Sequence, residues 1–252
     1  MKQLTTILPI ALLLTLFISS CKKENSNEPS NNNPNKLKLY IEDATNTSFG
    51  KIDSFSVSYD ANNRLSALTN PNLKFVYTYS TSSFTLDLYE YNQLAIHEIY
   101  YINSSSLVDS TLQYNNTNDT TTEKYFYNGK LLTKLITYDY STSGGAEIYS
   151  ENDYTYDNNG NAIKEVDSDG NGDVNTISTF TYTDKPLNFS TSPSYLPVAS
   201  KYLPATKSQT DGSGNPIATV TYSYVFDSQG RVTKETDSFD NGETVVRSYV
   251  YY

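Results

Sequence analysis

Runs in which aromatic and hydroxyl side chains alternate, each closed by an Asp or Asn turn signal, recur along this chain and restrict it to antiparallel β-structure. The clearest pair is Tyr154-Thr155-Tyr156-Asp157-Asn158-Asn159-Gly160 and Tyr224-Val225-Phe226-Asp227-Ser228-Gln229-Gly230. Asp157, Gly160, Lys164, Glu165, Asp167, Ser168 and Gly172 return 70 positions later as Asp227, Gly230, Lys234, Glu235, Asp237, Ser238 and Gly242. A degenerate copy runs through Val57-Ser58-Tyr59-Asp60 to Asn63-Arg64-Leu65, and a shortened one through Tyr125-Phe126-Tyr127-Asn128-Gly129. Alternation with a period of two puts successive side chains on opposite faces of a strand, and Asp/Asn with Gly supplies the left-handed positions that a hairpin needs. Asp157 and Asp227 are placed to accept hydrogen bonds from the backbone two residues on, with Gly160 and Gly230 at positive φ.

Composition agrees. The 252 residues include 24 Tyr, no Trp and one His, with abundant Ser and Thr and no long helical pattern. Tyrosine suits a thin sheet because its ring covers a neighbouring strand while its hydroxyl reaches a polar partner. Residues 37–252 therefore read as one all-β hairpin-repeat domain.

Phe226-Asp227-Ser228-Gln229-Gly230-Arg231 comes nearest to a known motif, and on it the chain resembles the YD-repeat (RHS-like) family, whose signature pairs Tyr-Asp with a downstream Gly-Arg. It looks still more like repeat-containing lipoproteins of unknown function of the Bacteroidetes type. Asn161 in place of Arg and Asn63 in place of Gly depart from the pattern. Large YD-repeat proteins coil their sheet into a shell, which four or five hairpins cannot close. The expectation is thus an antiparallel meander or short β-solenoid, a curved open sheet with an exposed edge for self-association, and the alternative is a small closed β-barrel. Residues 183–206 interrupt the pattern with Pro186, Pro193, Pro197 and Pro204. They are expected to strap an open end of the sheet with their apolar side chains, or to form a ligand-contact loop with Tyr195 and Tyr202 as its platform.

The first residues address the chain to a membrane. Lys2 precedes a mostly apolar run from Leu4 to Ile18, too short for a permanent bilayer span and shaped as a secretory signal over residues 1–20. Ile18-Ser19-Ser20-Cys21 resembles the bacterial lipobox, which implies that Cys21 carries a diacylglycerol thioether and an N-acyl chain such as palmitate. Residues 21–36, rich in Asn, Ser and Pro, read as a flexible tether. Lys22 after the cysteine favours the outer membrane, with cell-surface exposure an option. Without the signal the chain has 17 basic and 28 acidic residues, a net charge of −11, so nucleic acid is not an expected partner.

Catalytic sets are hard to build from this inventory. His97 and Glu98 are adjacent on a strand and point to opposite faces. With one His and one Cys, neither a Ser-His-Asp triad nor a cysteine nucleophile can be assembled. A carboxylate-pair glycan hydrolase is the enzymatic alternative. Asp167, Asp169, Asn171 and Asp173 have the spacing of a calcium loop, with Ser178 where a bidentate Glu would stand, and the competing reading is a plain hairpin turn. Asp109-Ser110-Thr111 and Asp119-Thr120-Thr121 resemble a short O-glycosylation motif, with Ser110 and Thr120 as acceptors. The reading that follows is a non-enzymatic, membrane-anchored binding, adhesion or scaffold module for a glycan or protein ligand, or a purely structural envelope protein.

Overall fold

The computed structural model describes residues 35–48, 50–115, 120–140, 145–189, 192–197 and 200–252; Cys21, the signal and nearly all of the tether lie outside them. Sixteen strands follow one another: β1 Leu37–Asn46, β2 Ile52–Tyr59, β3 Leu65–Thr69, β4 Leu73–Tyr79, β5 Ser83–Glu90, β6 Gln93–Ile102, β7 Val108–Asn115 and β8 Thr120–Asn128. The second half holds β9 Leu131–Tyr140, β10 Ala146–Tyr156, β11 Ala162–Asp169, β12 Val174–Pro186, β13 Tyr202–Asp211, β14 Pro216–Phe226, β15 Val232–Phe239 and β16 Thr244–Tyr251. Each pairs antiparallel with its neighbours in sequence, and β1 pairs with β16, so the sheet closes into a barrel. The seam is carried by Tyr40 opposite Tyr249 and Glu42 opposite Arg247.

The open meander or solenoid gives way to the alternative, a closed barrel, with sixteen strands where four or five hairpins were expected and no free edge for self-association among the described residues. Several turns lack the Asp/Gly signal and so hide their hairpins. β5 and β6 are joined by Tyr91 and Asn92, both left-handed at φ 48° and 65°, and β4 and β5 by a turn in which Ser80 and Ser83 bond each other. Closure satisfies the backbone groups that an open edge would leave unpaired.

Connections alternate between the two ends. The end that holds both chain termini carries the repeat turns. Asp60, Asp157 and Asp227 each accept N–H bonds from the residues two and four positions on, at 2.8–2.9 Å. Gly160 and Gly230 sit at φ 83° and 75°, and Asn63 takes the same left-handed conformation at 63°, which Asn tolerates better than most residues. Arg64 and Arg231 fork onto the aspartates at 2.7–2.8 Å and lie 4.1 and 4.4 Å over the rings of Tyr79 and Tyr251. Where Asn161 replaces Arg, its amide bonds Asp157 at 2.9 Å and its oxygen accepts the Lys201 N–H at 2.9 Å, tying the turn to the Pro-rich segment.

A second repeated device explains many of the tyrosines. Near the end of an even-numbered strand a Tyr hydroxyl donates to a carbonyl at or near the start of the preceding strand. Tyr79 reaches Leu65, Tyr127 Val108, Tyr182 Ala162, Tyr224 Pro204 and Tyr251 Val232, at 2.6–2.9 Å. At this level the odd strands also place a ring of buried side chains: Leu37, Leu65, Phe84, Val108, Leu132, Ala162, Leu203 and Val232. The Pro-rich segment fills the ring, burying Leu187 and Phe189, while Tyr195 packs on Tyr79 and Phe84 and its carbonyl accepts the Val108 N–H. One end of the barrel is thus plugged, and the core sits between this plug and the inner faces of β1 to β7, β15 and β16.

Candidate functional site: the inner wall of the barrel

Because inward and outward positions alternate, the register assigns every strand residue to a face. Beyond the plug the inner wall changes from aliphatic to charged, and each charged cluster is built from cross-strand neighbours with tyrosine partners. On β1, β15 and β16, Arg247 bonds Glu42 at 2.9 Å, Glu235 at 3.2 Å and Asp237 at 2.5 Å. Tyr40 donates to Glu42 and Tyr249 to Glu235, both at 2.7 Å. Three carboxylates thus surround one guanidinium. Burial raises Asp237 to about 7 against the opposing pull of Arg247, and its Oδ1 is buried without a hydrogen-bond partner.

A second cluster lies on β6, β7 and β8. Tyr100 donates to Glu98 and Tyr125 to Glu123, both at 2.6 Å, and Thr111 adds a longer contact to Glu123 at 3.4 Å. Burial, and then the charge of Glu123, lifts Glu98 to about 8. Glu123 is raised by burial too, so the pair holds a proton at neutral pH. The third cluster, on β10 to β13, sets Glu165 beside Tyr154, Asn152 and Lys207. Burial raises Glu165 and lowers Lys207, each offset by the other's charge. Phe180 covers Lys207 at 5.7 Å.

This wall can hold protons and hydrogen-bond polar groups. Among the described residues no three His, Cys, Asp or Glu side chains form a group able to hold a metal ion.

The outer wall has the other composition. Its exposed positions include Ser54, Ser56 and Ser58 on β2, Thr179 and Thr181 on β12, and Thr219, Thr221 and Ser223 on β14. Lys134 bridges Glu151 at 2.5 Å and Asp153 at 3.5 Å across this surface. Exposed aromatics cluster on β6 to β10, with Tyr101, Tyr114, Phe126, Tyr140 and Tyr149, and exposed aliphatics such as Ile52, Ile163, Ile217 and Val225 are spread over other strands.

The residues singled out from the sequence are scattered over this frame. His97 faces outward, bonded to Asp87 at 2.5 Å, while Glu98 faces inward. Asp167 lies on the inner face of β11 opposite Thr176, whereas Asp169 accepts the N–H groups of Asn171 and Asp173 at 2.8 and 3.0 Å, the bonding of a hairpin turn. Tyr195 is part of the plug. Tyr202 lines a shallow groove of about 470 Å³ at the same end, with Asp157, Phe180, Tyr182 and Asp184. Ser110 and Thr120 stand on the outer wall of β7 and β8, in register with Lys124 and Tyr140. Arg247 and the Glu98–Glu123 pair were missed; the available signals were an Arg within the alternation Val245-Val246-Arg247-Ser248-Tyr249 and Tyr two residues from Glu on one face.

These features define a class: a sixteen-stranded up-and-down barrel with a charged inner wall and one filled end. No protein-family model matches the chain, and no curated protein does. Its fold is similar to that of a porin-like protein from Bacteroides uniformis ATCC 8492, with a TM-score of 0.62 at 14% identity, over 89% of this chain and 100% of that one. A porin-like protein from Bacteroides vulgatus ATCC 8482 is similarly alike, with a TM-score of 0.63 at 10% identity over 86% of this chain and 98% of that one.

Proposed function

We propose that this chain is a non-enzymatic lipoprotein of the outer membrane whose barrel stands in water on its tether and serves as a scaffold or binding module. The observation that carries this reading is the polarity of the wall. A membrane barrel of this strand number turns an apolar band about 25 Å tall to lipid and keeps a wet polar channel inside. Here rows of Ser and Thr and a Lys–Glu–Asp network interrupt the outer face, while the plug and the buried aromatic rings, among them Phe55, Phe75 and Phe84, face in. Hydroxyl and charged side chains on a lipid face would be costly, and the filled end blocks a through-channel.

The competing reading is a membrane-spanning barrel. The likeness to porin-like structures and the exposed aromatics on β6 to β10 favour it. Expression from Cys21 onward without the signal separates the two. The tethered module is expected to purify without detergent as a monodisperse β-rich protein that leaves planar bilayers non-conducting. A need for detergent together with channel activity would replace it with the spanning barrel.

A further inference from the structure

Charge is unevenly distributed along the barrel axis. At the plugged end, the described residues in or within three positions of the connections and termini comprise nine basic and five acidic side chains, a local charge of +4. At the other end, the same count is two basic and eleven acidic, a local charge of −9. Part of the polarity lies in the turns. The turns of the plugged end carry Arg64 and Arg231 at the position after the left-handed residue, whereas the opposite turns carry Asp173 and Glu243 there.

Both termini leave from the basic end. Tyr252 donates its N–H to the Lys36 carbonyl at 3.1 Å, so the segment before residue 35 enters beside the last strand. On the same rim Lys38 stands beside this exit, Lys201 on the connection into β13 and Lys130 on the β8–β9 hairpin across the barrel, and all three are exposed. Anionic bilayer surfaces attract basic side chains and repel acidic ones within a Debye length, on the order of fivefold in binding per lysine near the surface.

We infer that the plugged, basic end is a docking surface for an anionic lipid bilayer, which holds the barrel upright with its acidic end away from the membrane. Two independent features set this orientation: the exit of the tether segment and the sign of the charge on the rim from which it leaves. The inference deepens the tethered reading and rests on it, so the test supplies the tether chemically.

The chain from Cys21 onward, coupled through Cys21 to maleimide-headgroup lipid, is footprinted by lysine acetylation on vesicles with and without 30% phosphatidylglycerol. That fraction is roughly enough to give a strongly negative surface. On anionic vesicles, Lys38, Lys130 and Lys201 are expected to react severalfold more slowly than on neutral ones, while Lys51 and Lys74 at the far end are unchanged. Added salt at about 0.5 M, where the Debye length is only a few ångströms, should abolish the difference. Equal reactivity at both ends, or protection of Lys51 and Lys74, overturns the orientation and leaves the tethered reading intact. Protection centred on the wall residues Lys124 and Lys134 overturns both, because the wall itself would then lie in lipid.

Discussion

At the residue scale the inward-facing tyrosines whose hydroxyls donate fall mainly into two groups. One donates to the carbonyls where strands begin at the plugged end, the other to carboxylates of the inner wall. Tyr127→Phe deletes a 2.6 Å bond to Val108 while keeping the ring. If the carbonyl finds no other partner, the cost is about 1–3 kcal/mol, which a urea melt of the barrel would read directly. Arg247 is more demanding. Arg247→Met leaves Glu42, Glu235 and Asp237 without their cation on a buried wall. Removing one partner of a buried pair costs about 3–5 kcal/mol, so the variant should be severely weakened at pH 8. At pH 5, where Asp237 takes up a proton, part of that loss should return. Equal losses at both pH values would mean that packing, not charge, makes Arg247 matter.

At the element scale the hairpins were legible and their number was not. Asp157-x-x-Gly160 and Asp227-x-x-Gly230 announce turns because the side chain, the left-handed glycine and the register all agree. Tyr91-Asn92 announces nothing, since its left-handed tyrosine is held by the pairing of β5 with β6 rather than by local preference. The same limit hid the inner wall, where Glu98 and Glu123 meet only because β7 lies between their strands. Glycine roles also depend on neighbours. A Cβ at Gly212 would lie 2.0 Å from the Val174 carbonyl oxygen, and one at Gly170 1.8 Å from that of Ile148, so each turn leans on a strand that comes before it in the chain. Gly212→Ala should therefore cost about 1–3 kcal/mol through backbone displacement. Gly145, with open space around it and no positive φ, is the control: Gly145→Ala should be neutral or slightly stabilising, by about 0.4–1 kcal/mol.

At the scale of the whole molecule, buried acids and turn acids pull stability in opposite directions with pH. Glu98 at about 8 and Asp237 at about 7 lie above the unfolded value of roughly 4, so their contribution is complete below pH 4 and is lost as pH rises towards 7–8. Asp60, Asp157, Asp169, Asp211 and Asp227 are lowered, mainly by bonds from turn N–H groups and, for Asp60 and Asp227, also from Arg64 and Arg231. Their contribution is present above pH 4 and disappears in stronger acid. The urea midpoint is therefore expected to rise from pH 8 to pH 5 and to fall again below pH 4. A midpoint that climbs steadily to pH 8 would contradict the protonated inner wall.

The seam between β1 and β16 reaches beyond equilibrium. The first strand finds its second partner only in the last, about two hundred residues later, so nothing local rewards an early closure. A chain that appears N-terminus first must hold its earlier strands with an unsatisfied flank until its final residues arrive. During that interval it is a template for aggregation, and its assembly is timed by the completion of the chain rather than by the speed of any single hairpin.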